Sequence, residues 1–184
     1  RRGVLTADLL LLGASVCWVC NGRNKMPLIC GIDAGWATGG VSLIGFGKDA
    51  GFAELHDLPI PIKGSGVCAV MLADLISGGD DVTHIVIEKQ ASRPRQGLRS
   101  TFNLGTGYGM IIATAQLSDI PYSMVSPIRW KRDLGLNGQG KDAAMDMARR
   151  LFPSARDSMT RKKDEHRCEA ALLAHWNINY GENK

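Results

Sequence analysis

At 184 residues the chain has the length of one domain with a single well-formed core. Its composition, 45% apolar and 22% charged with no low-complexity tract, excludes disorder over most of its length. The formal charge is +4 but unevenly spread: Lys89 to Arg167 carries 15 Lys/Arg against 7 Asp/Glu, whereas residues 1–88 carry 6 against 9. A basic middle section beside acidic positions suits a polyanionic partner.

The chain opens on Arg1-Arg2, passes through an apolar stretch from Leu9 to Val19, and reaches polar Asn21–Lys25. Charge and apolar length resemble a secretory signal, but Asp8 falls within the segment, no small-x-small cleavage site follows, and the stretch is too short to span a membrane. The domain is therefore expected over 26–184, with residues 1–25 an upstream extension or poorly ordered tail. Of five cysteines, Cys17-x-x-Cys20 alone has metal-like or redox-like spacing, and without a second pair it gives no zinc or redox site. Cys30 and Cys68, in apolar segments, read as reduced core residues.

Three strands open the domain: Leu28–Asp33, Gly40–Phe46 and Phe52–Leu58, with a turn at Lys48–Gly51 that makes an antiparallel meander. Val67–Ile76 has helical spacing, with Val67, Val70, Met71 and Leu75 on its apolar face. Thr83–Glu88 is a continuous apolar run, as in a strand covered on both faces. A basic loop, Ala91–Arg99, leads into a helix over Thr101–Leu117 whose Gly105, Gly107 and Gly109 suggest close packing against a neighbour. Tyr122–Val125 reads as a fifth strand and Lys141–Leu151 as a helix with Ala144, Met147, Ala148 and Leu151 inward. Asp164–Asn177 is the last helix, buried through Ala170–Ala174. This order gives an α/β fold, a five-stranded mixed sheet flanked by helices, with an RNase H-like outline.

Two of these apolar strands end in carboxylates, Asp33 and Glu88, and the last helix carries His166 and Glu169 one turn apart. Buried carboxylates are strongly disfavoured without a partner. One Mg²⁺ site reconciles all four residues, because hard cations take oxygen ligands.

Gly31-Ile32-Asp33-Ala34-Gly35, Val86-Ile87-Glu88-Lys89-Gln90 and His166-Arg167-Cys168-Glu169-Ala170, with Ser126–Lys131 and Gly140–Ala144 between them, together resemble the RuvC-type Holliday-junction resolvases, the phage-borne members above all. The resemblance runs from Pro27 to Trp176. It implies a homodimeric crossover junction endodeoxyribonuclease that uses Mg²⁺ or Mn²⁺, two ions per site, to nick two strands of a four-way DNA junction in the cytoplasm of a bacterial or phage-infected cell, with no membrane partner. The family's carboxylates map to Asp33 and Glu88, and its C-terminal pair to His166 and Glu169. Many members carry Asp at the last of these positions, and Asp164 is the substitute ligand if the helix is rotated. Arg93, Arg95 and Arg99 on the loop after Glu88, with Lys131 and Lys141, are the expected phosphate contacts.

Phe102 and Tyr108 are candidates for stacking on unpaired junction bases or for the core, and Arg161-Lys162-Lys163 reads as a solvated charge run. The rivals are a nuclease cutting forks, flaps and other branched DNA with little sequence preference, a non-catalytic junction-binding module, and a phosphotransferase of the actin/hexokinase-like group. The last is suggested by Asp33-x-Gly35 and Thr38-Gly39-Gly40. It lacks the chain length for a second lobe.

Overall fold

The structure, a computed structural model, describes residues 27–47, 51–59, 66–77, 82–140 and 142–181. The proposed extension over 1–25, Cys17, Cys20, the tip of the turn at Lys48–Ala50 and Lys141 lie outside the described residues.

Five strands, β1 (Leu28–Asp33), β2 (Gly40–Gly45), β3 (Ala53–Asp57), β4 (Val82–Glu88) and β5 (Tyr122–Val125), form one sheet in the order β3-β2-β1-β4-β5. The first three pair antiparallel, as the meander requires, while β4 joins β1, and β5 joins β4, in parallel. The expected five-stranded mixed sheet is present, and its strands match the apolar runs to within a residue or two.

Helices α1 (Ala69–Ser77) and α2 (Leu98–Leu117) cover one face of the sheet, and α4 (Ala143–Leu151) and α5 (Glu165–Tyr180) the other. Strand alternation divides the side chains between two cores. Leu28, Cys30, Ile32, Val41, Leu43, Ile85 and Ile87 pack with Leu72, Ile76, Ile111 and Ala115. Ile29, Ile44, Val86 and Val125 pack with Ala148, Ala171, Leu172 and Leu173. Ala170 to Ala174 are fully buried, as expected.

Three local expectations need correction. Helix α1 buries Leu72 and Ile76, while Val70 and Met71 face outward. Nearly every position of Ala69–Ser77 is apolar, so periodicity alone does not select a face. Helix α4 buries Ala144, Met145 and Ala148, and Leu151 is exposed. Of the three glycines in α2, only Gly107 packs closely: a Cβ there would lie 3.2 Å from the Gly35 carbonyl oxygen and from the Trp36 ring, whereas Gly105 and Gly109 face open space.

A further helix, α3 (Pro127–Asp133), falls in the segment taken only as a basic motif. Its start is written in the sequence: Ser126 caps it by accepting a hydrogen bond from the Arg129 N–H at 3.3 Å, and Pro127 occupies the first turn. Seven residues are too few for a hydrophobic period to register.

Candidate metal centre

Alternation along the strands decides which side chains meet α5. Asp33 shares its face of β1 with Ile29 and Gly31, and Glu88 shares its face of β4 with Val86. β1 and β4 run side by side in parallel, with Ile32 opposite Ile87, so the two carboxylates leave adjacent strand ends toward the same helix. Glycines let that helix come close. A Cβ at Gly31 would fall 2.1 Å from the Ala170 carbonyl oxygen, and one at Gly40 would fall 2.2 Å from that of His166. The α5 backbone therefore rests on the sheet, and one turn of it presents His166 and Glu169 over the ends of β1 and β2. Arg167 fixes the same turn from outside with two 2.6 Å hydrogen bonds to Asp57 at the end of β3.

His166 Nδ1 donates to Asp33 Oδ2 at 2.7 Å. Ligand atoms of Asp33, His166 and Glu169 all lie within 4.8 Å of one another, and among the described residues this is the group of His, Cys, Asp and Glu side chains spaced to hold a metal ion. Glu88 stands beside it, accepting 2.9 Å from the Trp130 indole N–H through Oε1 and 3.2 Å from Gln90 Nε2 through Oε2. Lys131 Nζ donates to Glu169 Oε1 at 2.5 Å.

The electrostatics follow from this crowding. Burial, with the charges of Asp33 and Glu169 added, pushes the Glu88 carboxyl up to about 7, against the pull of Trp130 and Lys131. Burial and Asp33 also raise Glu169, again opposed by Lys131. The Asp33 hydrogen bond holds His166 above its ordinary value despite burial. Burial alone would lower the Lys131 ammonium, but Glu169, Glu88 and Asp33 keep it above the usual lysine range. Three carboxylates thus face one ammonium and one imidazole. That donor set, rich in oxygen and short of positive charge, could bind a hard divalent cation.

Asp33, His166 and Glu169 are brought together, and Glu88 stands beside them, outside the group spaced for a single ion. Asp164 is not a substitute: it is buried and accepts from the Arg161 backbone N–H at 2.7 Å and from the Arg161 guanidinium at 2.9 Å. Lys131 is half-buried beside the cluster and paired with Glu169. Arg93, Arg95 and Arg99 are exposed on the loop leaving Glu88 and the first turn of α2. Phe102 is exposed, whereas Tyr108 is half-buried with its hydroxyl donating to the Met124 sulfur at 3.2 Å. Of the charge run, Arg161 holds Asp164, and Lys163 lines a cleft beside His166. The sequence reading missed Trp130 and Gln90. Gln90, two residues past Glu88, was within reach of inspection. Trp130 is 42 residues away in the chain, and only the fold brings its indole to Glu88.

No protein-family model matches the chain. Over 49 residues the sequence is 49% identical to the chloroplastic Holliday junction resolvase MOC1 of Chlamydomonas reinhardtii, a match spanning 26% of this chain and 6% of that relative. The chain thus corresponds to a small part of the curated relative. Among solved structures, RuvC of T. thermophilus in complex with Holliday junction substrate superposes with a TM-score of 0.60 at 15% identity, covering 83% of this chain and 92% of that one. A second Thermus thermophilus RuvC structure gives 0.60 at 17%, covering 84% and 96%. The fowlpox virus Holliday junction resolvase gives 0.52 at 11%, covering 82% and 96%. Strands β1 and β4, with α5 laid across them, lie in an α/β fold of RNase H-like outline that the chain shares with these RuvC structures.

Proposed function

We propose that the chain is a metal-dependent endonuclease that resolves four-way DNA junctions by paired phosphodiester hydrolysis. The observation that carries this reading is the convergence of Asp33, His166 and Glu169 beside buried Glu88 at adjacent strand ends, on a fold shared with RuvC. Asp33, Glu169 and His166 would hold one Mg²⁺ or Mn²⁺, and Glu88 with Asp33 a second. Two such ions supply an activated water and stabilise the leaving oxygen of an in-line displacement.

The protein's own groups do the remaining work. Asp33 is the central ligand because it lies between His166 and Glu88. His166 would hold a cation through a ring nitrogen as the neutral imidazole, without the extra proton that Asp33 helps it keep in the metal-free protein. Lys131, beside Glu169, would supply positive charge near the phosphate. The cleft beside His166, about 460 Å³ and lined by Thr38, Gly39, Asp57 and Lys163, gives room for the substrate strand. Arg93, Arg95 and Arg99 hold its phosphates and set affinity without reading sequence. Lys141, outside the described residues, is assigned the same task by resemblance.

Paired cuts need two such centres, so we assign a second copy of the chain as partner. The outer face of α2 supports this: Leu98, Phe102 and Leu117 are exposed along it, and Gly105 and Gly109 leave open space between them. Among the described residues no helix is long and apolar enough to cross a membrane. The cytoplasm is the compartment this reading assigns, although the algal relative is named as chloroplastic.

The test compares cleavage of a synthetic four-way junction and a splayed fork by the full chain in Mg²⁺ and in EDTA. Preferential cutting of the junction, abolished by EDTA, is the expected result. Equal cutting of both substrates would favour the broader branched-DNA nuclease, and binding without cutting would reduce the protein to a junction-binding module.

A further inference from the structure

Trp130 is fully buried in the core between the sheet and helices α4 and α5, among Val86, Val125, Leu136 and Ala148. Packing explains its rings but not its nitrogen, because a phenylalanine would fill most of the same space without a polar atom. A buried indole N–H needs an acceptor. Here the acceptor is Glu88 Oε1 at 2.9 Å, on a side chain that is itself 6% exposed.

The element that carries this donor is held firmly. Ser126 caps the start of α3. At its end Asp133 accepts from the Trp176 indole N–H of α5 at 3.0 Å, and the Arg129 guanidinium lies 5.4 Å from the Trp176 ring centre. The Lys131 ammonium lies 5.0 Å over the Trp130 ring while it donates to Glu169. Successive residues of one short helix thus reach two acidic side chains from different elements, Glu88 on β4 and Glu169 on α5.

We infer that Trp130 is a positioning residue for the metal centre: its indole N–H fixes Glu88 through one carboxylate oxygen and leaves the other, which accepts from Gln90, for the cation. This rests on the metal-dependent reading above. A carboxylate fixed in advance loses less freedom when the cation binds, so the hydrogen bond acts on metal affinity more than on the rate once metal is saturating.

The experiment is Mn²⁺ binding by the full chain, read from the free-ion electron paramagnetic resonance signal, for the unaltered protein and for Trp130→Phe, Glu88→Ala and the double variant. Trp130→Phe is expected to weaken Mn²⁺ binding about tenfold, the scale of one hydrogen bond to a charged group. It should leave cleavage largely recoverable at high Mg²⁺ and add nothing in the Glu88→Ala background. A folded Trp130→Phe with unchanged Mn²⁺ affinity, or equal weakening with and without Glu88, would overturn the proposal and leave the indole a packing group. If the unaltered protein binds no Mn²⁺, the metal reading beneath the proposal falls and takes it down too.

A measurement on unaltered protein covers the case in which Trp130→Phe does not fold. In ¹⁵N-labelled protein, the Trp130 indole N–H resonance should move with Mg²⁺ over the range that saturates the site, while that of Trp176, bonded to Asp133, stays in place. A stationary Trp130 resonance in protein that binds Mg²⁺ would overturn the proposal.

Discussion

The two faces of the sheet are built by the same alternation and put to opposite uses. Toward α1 and α2, β1, β2 and β4 present Leu28, Cys30, Ile32, Val41, Leu43, Ile85 and Ile87, all apolar and buried. Toward α5, the same strands present Gly31, Asp33, Gly40, Ser42, His84 and Glu88 among fewer apolar groups. The first face packs these apolar side chains against α1 and α2. The second gives up side-chain volume at Gly31 and Gly40 so that a helix backbone can approach, and it buries carboxylates whose charge the helix partly answers. Both sides bury an apolar core, but the proposed chemistry sits on the α5 side alone, so substitutions at the strand ends of the two sides should fail in different ways.

The largest effect is expected from Asp33→Asn, which keeps the shape of the side chain and removes the charge shared by both proposed ions. Cleavage should fall by about a thousandfold or more while junction binding and thermal stability persist. Retention of activity would break the assignment of the α5 face. Gly40→Ala comes next. The new methyl meets the His166 backbone, which has no flexible side chain to yield, so α5 must shift where it carries two ligands. A displacement near 1 Å costs roughly a hundredfold in rate, and the folded variant should show that loss in cleavage at saturating Mg²⁺. Ile87→Ala, on the opposite face and one residue from Glu88, should instead lower unfolding free energy by about 2–4 kcal/mol in urea titrations. Cleavage per folded molecule should survive. Equal catalytic loss in Ile87→Ala and Gly40→Ala would erase the distinction between the faces.

The pH dependence sharpens the comparison further. Burial raises Glu88 from 4.5 to about 7 and raises Glu169, and Asp33 raises His166, so these three groups hold more protons in the folded state than in the unfolded one, while buried His84 and His175, lowered, act the other way. The Glu88 contribution to the stability of the metal-free protein should therefore fall as pH rises from about 4.5 to 7, by on the order of 2 kcal/mol. Glu88→Gln should flatten that slope. Mg²⁺, which requires the deprotonated groups, should stabilise most at the upper end. A pH profile of stability that Glu88→Gln leaves unchanged would contradict the buried, crowded carboxylate. The smallest effects belong to the surface. Replacing Arg93, Arg95 or Arg99 by Ala should weaken junction binding severalfold and reduce the slope of log Kd against log salt by about 0.9 per lost phosphate contact.

Much of this was legible in the sequence because apolar runs ending in acids are costly patterns that leave few explanations. Leu28–Asp33, Thr83–Glu88 and the Ala170–Ala174 stretch of α5 fixed the sheet, its face and the four ligand candidates. Other features needed the fold. Helix α1 is apolar almost all round, so Val70 and Met71 competed with Leu72 and Ile76 for the core on equal terms. Helix α3 is too short to show a period, and its cap and proline were the available signs. Lys131 could be recognised as a cation but not as the partner of Glu169, and nothing in Trp130 as a letter marks its nitrogen as bound to Glu88. Partners 38 and 42 residues apart in the chain are set by packing, which a one-dimensional pattern does not encode.

The central claim, that the α5 face cuts junction DNA, is tested most directly by mapping nicks. The full chain and its Asp33→Asn variant would be incubated with a four-way junction in Mg²⁺, each strand end-labelled in turn and resolved on denaturing gels. Symmetric nicks in two opposed strands with the unaltered protein, and none with the variant although it still binds the junction, are the result expected. Nicks that persist in Asp33→Asn, or a junction bound but left intact by both proteins, would contradict it.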